Sequence, residues 1–136
     1  MSMYSGIDPV NCKDIQNTFD GMGLLVKYNA SGIMITTAKA DVPIGVTLDE
    51  SSRDAAGTLE AAGTGTVTIV PLTGVQMIKC VGGGVLKTGE SLYVDDSNDG
   101  YVHTTSTGAK FVGYYMGEDG ITPTSGDLIP VLCRAA

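Results

Sequence analysis

The feature that most constrains this chain is an internal repeat. Shifting the sequence against itself by 68 residues, without gaps, lays Gly32 on Gly100 and Gly45 on Gly113. The same shift lays Leu24 on Leu92, Val26 on Val94 and Thr36-Thr37 on Thr104-Thr105. Apolar positions follow, Ile33 with Tyr101, Met34 with Val102 and Ile44 with Val112. The turn Asn29-Ala30-Ser31-Gly32 falls on Ser97-Asn98-Asp99-Gly100. Paired glycines at equal spacing between matching apolar runs mark two copies of one supersecondary unit. A unit this small cannot bury its apolar face alone, so the copies must pack on each other.

Each copy reads as strands. Leu24-Leu25-Val26 and the β-branched run Ile33 to Thr37 flank an Asn/Ser/Gly turn, which predicts a hairpin. Asp41-Val42-Pro43 breaks the pattern, and Ile44 to Leu48 restarts it. Thr66 to Val70 alternates as a closing strand, matched in the second copy by Leu128 to Leu132. Val75 to Val81 is a further strand that ends at Gly82-Gly83-Gly84. Gly45 and Gly113 lie inside strand patterns, where glycine marks a bulge or a close backbone approach. Residues 49–63 carry helix formers interrupted by Gly57 and read as a short helix or a surface loop. With 19 glycines, no tryptophan and no long Leu/Glu/Lys/Ala run, a helical bundle is excluded. The expected fold is mainly β: a compact β-barrel or β-sandwich of two related strand-turn-strand halves with at most one short helix. The repeat units are 21–70 and 89–132 within a β-rich domain spanning 21–136.

Residues 1–20 show neither strand nor helix period, and Asp8-Pro9 is a turn signal. Two readings fit: an N-terminal arm that anchors on a neighbouring subunit through Met3, Tyr4, Ile7 and Val10, or a terminal strand of the same domain. The arm is the reading adopted. It predicts that the segment is ordered mainly by contacts with another subunit.

The formal net charge of −7 and the absence of any Lys/Arg cluster argue against nucleic acid as a partner, because phosphate neutralisation needs a cationic patch. The acid excess favours solubility. Cys12, Cys80 and Cys133 are too few, too widely spaced and odd in number for a disulfide framework, and there is no CxxC pair for zinc. They read as reduced, partly buried thiols of a protein made in a reducing cytosol. The N-terminus lacks the basic and apolar regions of a signal peptide, and no apolar run approaches the ~20 residues of a membrane span, so no membrane association is expected.

Several motifs touch on chemistry and fail on spacing. Asp95-Asp96-Ser97-Asn98-Asp99-Gly100 resembles the start of a calcium loop, but its twelfth position is Ser106 instead of a bidentate Glu, and Tyr101 to Thr104 reads as strand. Gly82-Gly83-Gly84-Val85-Leu86-Lys87-Thr88 has the wrong spacing for a phosphate loop and no following helix. His103 is the only histidine and has no patterned nucleophile. Glu118-Asp119 and Asp49-Glu50 read as solvated acidic turns. The sequence therefore predicts no catalytic, cofactor or metal site. Tyr114 and Tyr115, followed by Met116, are candidate partner contacts, since aromatics and methionine are enriched at interfaces. Strand alternation turns one of the two tyrosines inward.

The second half carries a recognisable order: Lys87-Thr88-Gly89-Glu90-Ser91-Leu92-Tyr93-Val94-Asp95, Gly100-Tyr101-Val102, Phe111-Val112-Gly113-Tyr114, then Ser125-Gly126-Asp127-Leu128-Ile129-Pro130-Val131-Leu132. With Pro43-Ile44-Gly45-Val46 in the first half, it resembles the small β-rich capsid decoration (cement) proteins of tailed phages, over residues 21–134. The resemblance implies a structural, non-enzymatic virion protein. Such a protein is made in the host cytoplasm, is trimeric in preference to other homo-oligomers, and binds the major capsid protein on the outside of the assembled lattice. The alternative is a non-catalytic β binding module, either carbohydrate-binding or tail-associated.

Overall fold

The computed structural model describes residues 9–13, 15–60 and 65–134. Among these residues there are ten strands and no helix: β1 (Val10–Cys12), β2 (Leu25–Asn29), β3 (Gly32–Ile35), β4 (Gly45–Thr47), β5 (Val67–Pro71), β6 (Gly74–Lys79), β7 (Ser91–Val94), β8 (Val102–His103), β9 (Phe111–Tyr115) and β10 (Leu128–Cys133). They form two five-stranded antiparallel sheets, ordered β1-β5-β4-β2-β3 and β6-β10-β9-β7-β8. Adding five to each strand number of the first order yields the second, so both halves have one topology. Neither sheet closes on itself. The barrel alternative gives way to two packed open sheets.

The repeat glycines have a common physical cause. Gly45 stands opposite Pro71 as Gly113 stands opposite Cys133. A Cβ on Gly45 would lie 2.7 Å from the Val70 carbonyl oxygen, and one on Gly113 would run into the carbonyl oxygen of Leu132, the equivalent residue. Both strands pass too close to their neighbour's backbone for a side chain. The second half adds a bulge beside this point, where Leu92 faces Gly113 but Tyr93 faces Phe111. The shift of 68 holds for β4 and β9 and fails for β2 and β7. Val26 and Leu92 both stand opposite the repeat glycine, so the shift there is 66. Val26 therefore matches Leu92, not Val94. A two-residue slip keeps every side chain on its face, which is why the apolar pattern concealed it. The structural equivalence also takes in β1 and β6, which begin the two halves and widen the units beyond 21–70 and 89–132.

Alternation divides sheet 1 cleanly. Leu25, Val46 and Val70 lie on one face and join Ile78, Leu92, Val112, Ile129 and Val131 of sheet 2 in the larger core. Val26, Ile33, Val67 and Ile69 lie on the other face. That face is covered by the N-terminal segment, whose Ile15 and Phe19 are fully buried against it. The arm reading of residues 1–20 is thereby corrected over its described part. β1 pairs with β5 of its own chain, Ile15 bridges to Ile33, and the Ser51 hydroxyl accepts the Phe19 N–H at 3.0 Å. Two large side chains, each worth ~1.5–3 kcal/mol when buried, hold the segment to its own body. The described residues of the segment, 9–13 and 15–20, follow the alternative reading, a terminal strand of the same domain.

Backbone hydrogen bonds tie the halves together. The Gly100 carbonyl accepts the Leu25 N–H at 2.8 Å, and the Gly100 N–H donates to Thr36 at 2.9 Å. The described part of residues 49–63 is loop: Asp54 Oδ1 accepts the N–H groups of Ala56 and Thr58, and Gly57 turns the chain at φ 83°. Residues 61–63 lie outside the described residues. The three thiols are free. No helix among the described residues is long and apolar enough to cross a membrane.

Candidate partner-binding surface

One face of each sheet is accounted for by the shared core, and the N-terminal segment covers the far face of sheet 1. Among the described residues, no such segment covers the far face of sheet 2. Its side chains follow from the register. Ile129, Val131 and Cys133 point into the core, so Pro130 and Leu132 point out. Leu132 stands opposite Val75 on one side and Tyr114 on the other, which puts all three on the outer face. Val75 is 51% exposed and Met77 40%. Tyr93, opposite both Phe111 and His103, extends the face toward β8.

Three aromatic rings organise this face. Phe111 meets Tyr93 edge-on, with centroids 5.8 Å apart and planes at 69°, and meets Tyr114 at 5.2 Å and 64°. Phe111 and Tyr114 are three positions apart, a spacing that regular alternation would put on opposite faces. The β9 burial pattern explains it: Val112 and Gly113 both face inward, so the bulge brings Phe111 and Tyr114 to one side. The face ends at β6, a six-residue edge strand whose outward residues are Val75, Met77 and Lys79, with the Lys79 N–H donated to the Gly23 carbonyl at 2.8 Å. The lysine and that bond protect one end of the edge, and the exposed apolar pair Val75 and Met77 lies at the other.

The six sequence candidates separate. Tyr114 is half-buried on this outer face. Tyr115 is only 2% exposed, faces the core and donates its hydroxyl to the Glu118 carbonyl at 2.8 Å, so it is removed as a partner contact. Val10 is 49% exposed but sits in β1 beside β5, away from the aromatic rings. Met3, Tyr4 and Ile7 lie outside the described residues. Sequence reading missed Val75, Met77, Tyr93, Phe111 and Leu132. Alternation around the closing strand would have found Leu132, and Gly113 within a strand was the signal for the bulge.

The motifs with chemical overtones serve the backbone. Asp95 Oδ2 accepts the N–H groups of Ser97 at 3.0 Å and Asn98 at 2.6 Å, closing an Asx turn. His103 Nδ1 lies 3.9 Å from Asp95 Oδ1 and takes the Thr105 N–H at 3.4 Å. The Gly82 and Gly83 N–H groups donate to Ser125 Oγ and the Pro123 carbonyl, so neither is open to a phosphate. Asp119 Oδ1 accepts the Thr88 N–H, and Glu50 forks onto Arg53 at 2.8 and 3.1 Å. Burial pushes the Cys80 and Cys133 thiols up to about 11, which keeps them protonated and poorly nucleophilic. Neither a family model nor a curated protein matches this sequence.

Proposed function

We propose that this chain is a non-enzymatic structural protein that docks on the outside of an assembled viral capsid and stabilises it. The supporting observation is the outer face of sheet 2, which no other described segment covers, with its aromatic trio and the exposed Val75 and Met77 of edge strand β6. Such a face on a small acidic domain fits a partner that is always present, and the sequence resemblance to decoration proteins supplies the partner's class, the major capsid protein. A lattice of repeated sites suits a homo-oligomer, a trimer by the same resemblance, because several modest contacts engaged together raise the overall affinity. The net charge of −7 speaks for a protein partner over nucleic acid. The rings also disfavour the carbohydrate-binding alternative. Sugar stacking uses a flat exposed ring face, and here neighbouring rings meet at 64° and 69°.

The test is co-sedimentation with expanded, undecorated capsids of the virus that encodes the chain. The expected result is saturable binding in a fixed ratio to coat subunits, weakened at least 100-fold by Met77→Asp combined with Tyr114→Asp while the far-UV spectrum stays unchanged. Wild-type protein that fails to bind, or a double variant that binds as well as wild type, overturns the proposal.

A further inference from the structure

A polar cleft of about 410 Å³ lies where the N-terminal segment, the end of β6 and the turn after β7 converge. Its floor is apolar, from Leu24 and Ile35. Thr18 and Asp20 line one side, and Asn98, Asp99 and Tyr101 line the other. Lys79, the last residue of β6, is its only lining residue within a strand of sheet 2. None of Val75, Met77, Tyr93, Phe111, Tyr114 and Leu132 takes part.

The walls are fastened in place. Gly100 presses the turn onto the floor, since a Cβ there would lie 2.8 Å from Ile35 Cγ2 and 3.1 Å from Leu24 Cδ2. The Gly100 carbonyl accepts the Leu25 N–H, and Asp95 Oδ2 holds the N–H groups of Ser97 and Asn98. Between Thr18 and Asp20, the fully buried Phe19 donates its N–H to Ser51 Oγ at 3.0 Å and accepts the Ser51 N–H at 2.8 Å. Lys79 is tied through its N–H to Gly23, and its Nζ lies 3.6 Å from where a Cβ on Gly21 would be. Groups fixed before a ligand arrives cost little to order on binding.

The charges of the cleft are unspent. Ion pairs among the described residues join Lys27 to Asp41 and Arg53 to Glu50, with a wide contact between His103 and Asp95. Asp20, Lys79 and Asp99 are in none of them. An entering cation meets the ammonium, and an entering anion meets two carboxylates. A neutral ligand with many hydroxyl groups is opposed by neither. The carboxylates and the Asn98 carbonyl accept its O–H groups, the ammonium donates to its oxygens, and the Tyr101 hydroxyl does either. The volume falls within the ~300–1,000 Å³ of small-molecule sites, and the polar walls select a polar ligand.

We propose that this cleft binds a neutral saccharide, with Asp20, Asp99 and Lys79 bonding its hydroxyl groups over the floor of Leu24 and Ile35. The ring angles that speak against sugar stacking on the outer face of sheet 2 do not bear on this site, where hydrogen bonds do the holding. The inference goes beyond the docking role and rests on other residues.

The test is an amide-shift titration of the isotope-labelled full chain with glucose, galactose, mannose and N-acetylglucosamine at millimolar concentration, and with the polymers dextran and mannan. The expected result is a saturable shift with at least one of these sugars at the amides of Asp20, Asp99, Gly100 and Tyr101, and none at Met77 or Tyr114. A response to free sugars alone assigns a soluble sugar, and a response to a polymer as well assigns a glycan surface; either supports the proposal. Asp20→Ala combined with Asp99→Ala removes two exposed side chains and is expected to weaken binding at least 10-fold with the spectrum outside the cleft unchanged. Met77→Asp combined with Tyr114→Asp is expected to leave the sugar response intact, so this reading and the capsid reading fail separately. No saturable shift with any sugar, shifts confined to another surface, or a double aspartate variant that responds like wild type overturns the proposal. Calcium chloride and sodium sulfate serve as charged probes, and a tighter response at the cleft to either than to every sugar overturns it too.

Discussion

Alanine at Gly113 tests whether the repeat glycines are there for strand approach. Gly113 sits in β9 between Leu92 and Cys133, and a Cβ there meets the Leu132 carbonyl oxygen and comes within 2.9 Å of Val131 Cγ1. Neither obstacle is the end of a flexible side chain, so β9 and β10 must part. Overpacking of this kind costs about 1–3 kcal/mol. Strained ladder hydrogen bonds add roughly 0.5–1.5 kcal/mol each. The loss of glycine's freedom in the unfolded chain returns about 0.4–1 kcal/mol. The net expectation is a destabilisation of about 3 kcal/mol, roughly 10 °C in Tm for a domain of this size. Gly45→Ala, whose Cβ lies 2.7 Å from the Val70 oxygen, is expected to cost less, about 1–2 kcal/mol. Gly84 has nothing within 4 Å and supplies the control, with a change within about 0.5 kcal/mol. Urea unfolding followed by tyrosine fluorescence and far-UV circular dichroism reads all three. A Gly113→Ala midpoint equal to wild type, or a Gly84→Ala loss as large, refutes the reasoning.

Three further outcomes follow from the same structure. Phe19→Ala is expected to cost about 3–5 kcal/mol, and deleting residues 2–18, which removes β1 and Ile15, to abolish cooperative melting, whereas an independent arm would tolerate both. Burial raises the Asp41 carboxyl, but the Lys27 ammonium at 2.8 Å and the N–H groups of Ala38 and Thr37 outweigh it and hold the carboxyl below its ordinary value. Its stabilisation is complete above about pH 4 and lost as pH falls through the lowered value. Asp41→Asn is thus about 1–2 kcal/mol weaker at pH 7 and loses less in acid, and denaturation curves that run parallel across pH would contradict this. In the native protein a thiol reagent at pH 8 is expected to titrate the partly buried Cys12 first and to reach Cys80 and Cys133 only on unfolding. Equal rates for all three would refute the burial argument.

The sequence exposed the repeat because glycines forced by backbone approach cannot drift, and Gly45 and Gly113 hold the same strand position. It misplaced β2 against β7 by two residues because an even slip leaves the apolar alternation intact. The segment around Ile15 and Phe19 went unread as core for a different reason. It covers a sheet without being a regular strand, so its apolar residues have no period to detect. Tyr114 and Tyr115 obeyed alternation, one out and one in. The outer aromatic cluster stayed hidden because Phe111 and Tyr114 share a face only through the β9 bulge.

The most direct test of the central claim is a cryo-electron-microscopy reconstruction of particles carrying this protein. The account predicts density for the chain on the capsid exterior, with the outer face of sheet 2, at Val75, Met77 and Tyr114, in contact with coat subunits. A particle on which those side chains face solvent while another face meets the coat, or one with no such density outside the shell, would contradict it.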